Sequence, residues 1–111
     1  MSRFNSIILA RVYAHESVAE LATYADIPVI NGLSDKHHPL QTLADYMTMK
    51  EHFKSLPGLT LAWVGDGNNI IHDLMLAAPK LGVNVSIATP VGYECDSDVV
   101  EETIRLSQVR E

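Results

Sequence analysis

The amino-acid sequence predicts an α/β protein built from parallel βαβ units. Three observations carry that expectation. Short, nearly continuous apolar runs alternate with longer stretches whose apolar residues recur at helical spacing. Two polar turns, His38-Pro39-Leu40-Gln41 and Gly65-Asp66-Gly67-Asn68-Asn69, stand where an apolar strand gives way to a helix, which is where an open parallel sheet collects its ligands. Leu56-Pro57-Gly58 is the clearest break and divides the pattern into two units, 1–56 and 57–111.

The elements follow in order. The apolar run from Ile7 to Val12 reads as a strand buried on both faces. A helix is expected from about Ser17 to Ala25, with Val18, Leu21, Ala22 and Ala25 on one face. Ile27 to Ile30 reads as the second strand, kept short or near an edge by Pro28. Pro39 suits the first position of a helix running to Phe53, whose buried stripe would be Leu40, Leu43, Ala44 and Met47. After the break, Leu59 to Val64 is a strand and Asn69 to Leu81 a helix with Ile70, Ile71, Leu74, Met75 and Ala78 inward. Pro79 should kink that helix or end it early. Val83 to Ala88 is the last strand, and Asp98 to Val109 the last helix, which runs out at Arg110-Glu111 without a stop signal. Right-handed crossovers would join each strand pair.

Bulk properties exclude several function classes. The chain of 111 residues has 47% hydrophobic and 20% charged residues, a globular balance that argues against wholesale disorder. A net charge of −6 without a Lys/Arg cluster argues against a nucleic-acid partner. No apolar run approaches the roughly 20 residues of a membrane helix, and Met1 to Ser6 lead directly into a strand with no targeting signal expected. The one cysteine, Cys95, cannot form an internal disulfide, which fits a reducing compartment.

The two turns carry the chemistry. Gly65-Asp66-Gly67 resembles half of a dinucleotide loop, but Ile70 stands where the third glycine belongs, and Val85-Ser86-Ile87-Ala88-Thr89 ends in no ribose-binding carboxylate. Asn68 and Asn69 offer amide donors and acceptors at a helix N-terminus; the bland alternative is that Asn68 merely caps that helix. At the first turn, His38 points from the N-cap region and Gln41 lies about one turn along. A neutral oxygen or developing oxyanion could sit there, polarised by the imidazole and the positive helix end. His37, His38, Asp35 and His52 match no zinc spacing and have no cysteine partner, so no metal site is expected.

At these residues the chain resembles a family. His38-Pro39-Leu40-Gln41-Thr42-Leu43-Ala44-Asp45 is similar to the H-P-x-Q-x-L-A-D motif of carbamoyltransferases, and Gly65-Asp66-Gly67-Asn68-Asn69 with Ile70-Ile71-His72 resembles the turn of the ornithine carbamoyltransferases. Leu9-Ala10-Arg11-Val12-Tyr13, Ile27 to Asp35 and Ala88 to Glu94 are similar to that family too, so the resemblance covers essentially the whole chain in register. It implies the second half of a carbamoyl-phosphate domain followed by the first half of a Rossmann-like ornithine domain. It implies transfer of a carbamoyl group from carbamoyl phosphate to ornithine, giving citrulline and phosphate, in a homotrimer without cofactor. Arg11 and His38 would bind the carbamoyl carbonyl oxygen, Gln41 the carbamoyl nitrogen, and Asn69 the α-amino acid portion of ornithine. Asp66, His72 and Tyr93 read as structural.

The family's Ser-x-Arg-Thr-Arg, Asp…Ser-Met-Gly and His-Cys-Leu-Pro segments are absent from the 111 residues, and Asp73 and Cys95 depart from the residues usual at their positions. The expectation is therefore an internal or truncated piece, inactive alone and exposing apolar faces that missing segments would cover. A non-catalytic subunit that binds full-length carbamoyltransferase is the alternative, and a small stand-alone nucleotide module a third. Eukaryotic relatives place the parent in the mitochondrial matrix; otherwise it would be cytoplasmic.

Overall fold

Four strand–helix units follow one another in the computed structural model, which describes residues 1–109; how the chain runs out at Arg110-Glu111 lies outside them. The elements are β1 (Ile8–Arg11), α1 (His15–Tyr24), β2 (Val29–Leu33), α2 (Pro39–Phe53), β3 (Thr60–Val64), α3 (Asn69–Leu81), β4 (Asn84–Ala88) and α4 (Ser97–Gln108). They form two separate two-stranded parallel sheets, β1 with β2 and β3 with β4. The second ladder is regular from Thr60 opposite Asn84 to Val64 opposite Ala88, whereas the first slips between Ala10 and Arg11. The chain crosses from one sheet to the other once, through residues 54–59, where Lys54 takes a left-handed φ of 69° as the C-cap of α2.

Local signals explain the helix ends. Pro39 occupies the first turn of α2, and Asn68 caps α3 by accepting the N–H groups of Ile70 and Ile71. Gly82 closes α3 at φ 80°, a conformation glycine adopts without penalty, and its N–H bonds the Ala78 carbonyl. The expectation that Pro79 ends this helix early is overturned. Pro79 lies in the last turn, with only two helical residues beyond it to be disturbed, and the helix continues to Leu81.

The core belongs to the second unit. Ile71, Leu74, Met75 and Ala78 of α3 cluster with Leu56, Val83 and Val99, and Leu61, Trp63, Val85 and Ile87 pack against them from one face of the sheet. Tyr46 is the fully enrolled member from α2, with Met49 beside the cluster. In the first unit, apart from Tyr46 and Leu56, which join that core, the buried apolar residues are Ile8 and Val18.

Two expectations about the first unit fail for one reason. β1 is not buried on both faces, since Leu9 is 60% exposed beside buried Ile8. The Leu40-Leu43-Ala44-Met47 stripe of α2 is not buried either: Leu43 and Met47 are 60% and 59% exposed, while Thr42 and Tyr46 face inward. The α2 helix turns Tyr46 toward α3, where its hydroxyl donates to the Leu74 carbonyl at 2.7 Å. A two-stranded sheet offers no second surface to cover the opposite stripe. In α1, Ala22 is likewise exposed, and β2 runs on to Leu33, past the expected end at Ile30. The accessible surface of 7523 Å² is about a quarter above the roughly 6,000 Å² typical of a folded monomer of this mass. The radius of gyration, 15.6 Å, likewise exceeds the ~13 Å of a compact domain this long.

Candidate functional site

The two polar turns meet. The first is a loop at 34–38, folded on Ser34, whose side chain is fully buried. The His37 N–H donates to Ser34 Oγ at 3.1 Å and the Ser34 N–H to the His37 carbonyl at 2.8 Å. His15 Nδ1 lies 3.0 Å from the same hydroxyl. The Asp35 N–H donates to the Tyr13 carbonyl at 2.8 Å, and the His15 N–H to Asp35 Oδ1 at 3.0 Å, so the loop is tied to the segment that follows β1.

The second turn opens α3. Gly67 donates its N–H to the Tyr93 carbonyl at 2.7 Å, and a Cβ on Gly67 would collide with the backbone of Glu94 and Cys95. This close approach is what glycine permits. Trp63 Nε1 donates to the Asp66 carbonyl at 3.2 Å. The role of Asn68 in the structure is the cap; Asn69, one residue on, donates from Nδ2 to the Ser34 carbonyl at 2.9 Å.

Further bonds from α3 cross to the first turn. Asp73, 8% exposed, accepts the His38 N–H on Oδ2 at 2.6 Å, and its Oδ1 lies 2.5 Å from His37 Nδ1. A carboxylate only accepts, so His37 donates from Nδ1. Buried His72 accepts the Asp96 N–H on Nε2 at 3.1 Å, which leaves its proton on Nδ1, 3.4 Å from the Lys36 carbonyl. Lys36 Nζ reaches Asp98 of α4 at 2.6 Å; that contact raises the lysine pKa and lowers the aspartate's. Near the second turn, burial pushes the Cys95 thiol up, and the Gly92 N–H holds the Glu94 carboxyl below its usual range.

The four expected site residues are placed as follows. Arg11 ends β1 with an exposed side chain and no hydrogen bond or ion pair among the described residues. His38 is the half-buried N-cap residue of α2, and its Nδ1 is buried without a partner among the described residues. Gln41 is exposed and donates from Nε2 to Asp45 Oδ1 at 2.9 Å along its own helix. Asn69 lines a cavity of about 180 Å³ with Val12, Tyr13, Leu33, Ser34 and Asp35, at the carboxyl ends of β1 and β2. Of the four, Asn69 alone lines it.

The first turn holds an acceptor that the sequence did not place there. The positive end of α2 is not left to an incoming oxyanion alone, because the Asp73 carboxylate already accepts there. Sequence reasoning noted Asp73 only as a departure. The signal that could have found it is an acidic residue within the otherwise apolar run Ile70-Ile71-His72-Asp73-Leu74-Met75. As chemical types, the expected residues bring a guanidinium, an imidazole and two amides, donors of the kind that polarise a carbonyl or hold an amino acid.

Comparison with known proteins gives this seam a lineage. The aspartate/ornithine carbamoyltransferase carbamoyl-P binding domain matches residues 1–51, and the Asp/Orn binding domain of the same family matches residues 57–109. The chain belongs to the aspartate/ornithine carbamoyltransferase family. Among family members, the mitochondrial ornithine transcarbamylase of Gallus gallus is 51% identical over 108 residues, which are 97% of this chain and 30% of that protein. The ornithine carbamoyltransferase of Carboxydothermus hydrogenoformans is 56% identical over 99 residues, 89% of this chain and 32% of that protein. The solved structure of ornithine carbamoyltransferase from Pyrococcus furiosus superposes with a TM-score of 0.93 at 50% identity, over 96% of this chain and 34% of that one. The mitochondrial enzyme from Coccidioides immitis gives 0.91 at 46% identity, over 99% and 37%. The chain thus spans about a third of the length of the carbamoyltransferases it matches.

Proposed function

We propose that this chain is the seam of an ornithine carbamoyltransferase site, residues 1–56 belonging to the carbamoyl-phosphate domain and 57–111 to the ornithine domain. The observation that carries the reading is the junction itself: two turns similar to the family's ligand-binding turns hydrogen-bond to each other beside a cavity at the strand ends. In this reading Arg11 and His38 receive the carbonyl oxygen of carbamoyl phosphate, and Gln41 receives its nitrogen. Asn69 holds the amino-acid end of ornithine. The ornithine amine attacks the carbonyl carbon, negative charge develops on the oxygen beside Arg11 and His38, and phosphate leaves as citrulline forms. Preorganised donors and proximity are the rate-raising effects available to these side chains.

The 111 residues supply neither the family's phosphate-gripping segment nor its loop for the ornithine side chain, so the chain alone turns over no citrulline. In the parent protein the site would be completed by those segments, within the homotrimer expected of the family. The test is a ¹⁵N NMR titration of the chain with carbamoyl phosphate and then ornithine, paired with a citrulline assay. Shifts at Arg11, His38 and Gln41 with carbamoyl phosphate, relayed to Asn69, a further shift at Asn69 with ornithine, and no citrulline are expected. Silence at all four positions would sink the site assignment; citrulline at an enzyme-like rate would sink the partial-site reading.

A further inference from the structure

The Asp73 carboxylate spends both of its oxygens on one loop of the other unit, with partners 35 and 36 residues away. Both contacts are short, in the range of charge-assisted hydrogen bonds. Its 8% exposure matters, because a carboxylate removed from water is costly unless its acceptor sites are filled. Asn69 lies four residues before Asp73 on α3, and residues so spaced share a helix face. Asn69 grips the loop at its start, through the Ser34 carbonyl, and Asp73 grips it at its end, through His37 and His38. Two attachments at opposite ends fix both the position and the rotation of the loop on α3, and the long His72 contact to the Lys36 carbonyl lies between them.

We propose that Asp73 is a positioning residue that latches the His37-His38 turn to α3 and so sets where His38 stands relative to Asn69. This rests on the carbamoyl-transfer reading for its functional meaning, since His38 and Asn69 are the groups that reading gives to the two substrates. An alignment error of about 1 Å at such a site can cost on the order of a hundredfold in rate, which is why a latch between two domains has work to do. Asp73 touches neither substrate; it acts through the backbone of His38 and the ring of His37.

The test compares the 111-residue chain with its Asp73→Ala and Asp73→Asn variants. Native-state amide exchange at His38 is expected to accelerate about tenfold or more in Asp73→Ala, while Met75 and Ala78 in the core of α3 keep their rates. Asp73→Asn should return His38 to within about threefold of the parent, because the new amide oxygen can accept the same N–H. Unchanged exchange at His38 in Asp73→Ala overturns the latch, and so does uniform acceleration at all three amides, which marks a general loss of stability. With carbamoyl phosphate as the probe, the parent and Asp73→Asn should show shifts at His38 together with Asn69, and Asp73→Ala shifts at His38 alone. Equal Asn69 shifts in the parent and Asp73→Ala also overturn it. If carbamoyl phosphate moves no resonance in any of the three, the carbamoyl-transfer reading fails, and the exchange rates decide the latch by themselves.

Discussion

The two units share one plan, a parallel strand pair with its helices, yet they differ in what is covered. In the second, α3 buries Ile71, Leu74, Met75 and Ala78 against the sheet, α4 and Tyr46. In the first, α2 turns Leu43 and Met47 outward, and β1 leaves Leu9 exposed. The difference teaches that an apolar stripe reports which face a helix wants covered, while burial depends on which neighbours are there. The second unit has its neighbours; the first leans on the second through Tyr46, Met49 and Leu56 and a set of polar bonds.

The contrast is broken most forcefully at the core. Ile71→Ala removes a side chain with no exposed surface and should cost about 2–5 kcal/mol, whereas Leu43→Ala, at 60% exposure, should stay within about 0.5 kcal/mol. Urea unfolding of both variants measures the ratio, and equal losses would mean that Leu43 is covered in solution.

Tyr46 tests how the units hold together. Tyr46→Phe removes the hydroxyl's bond to the Leu74 carbonyl and should cost about 1 kcal/mol. Burial, with Asp45 second, pushes the phenol up to about 12 from its ordinary 10.0. The folded state therefore holds this proton more tightly than the unfolded chain does. The resulting stability is whole below pH 10 and is lost as the pH rises through about 12. Thermal unfolding followed across that window should show an alkaline decline in the parent that Tyr46→Phe lacks.

The smallest effect belongs to Lys36 and Asp98, an exposed pair across the units. Lys36→Ala should leave the unfolding midpoint unchanged within error in high salt, and any difference should appear only at low ionic strength. The lowered Asp98 pKa means that what the pair contributes is present above the ordinary carboxylate range and is lost as the pH falls through the folded-state value.

Much of this was legible in the residues, and the reasons are local. Pro39 marks the start of α2 because its ring suits a first helical turn, and Asn68 and Gly82 bracket α3 through a side-chain cap and a left-handed stop. The motif turns could be singled out because their polarity interrupts apolar runs. The inward face of α2 was not legible. Leu40, Leu43 and Met47 outweigh Thr42 and Tyr46 in any count of apolar residues, and only the Leu74 carbonyl explains why Tyr46 turns in. The contact between the turns was hidden for a different reason: Asp73 and His38 are partners across 35 residues, and no local pattern reports so distant an acceptor.

Because the chain crosses between the sheets once, through residues 54–59, that thread decides whether the units meet at all. Joined by it, they face each other at an effective concentration of around millimolar. Hydrogen bonds worth about 1 kcal/mol each can then keep them in register. Severed there, the same bonds would have to offset roughly 4–15 kcal/mol of lost translational and rotational freedom, and the two pieces would drift apart in dilute solution. A short connector, exposed except at Leu56 and Leu59, thus contributes to holding the turns together although it touches neither of them.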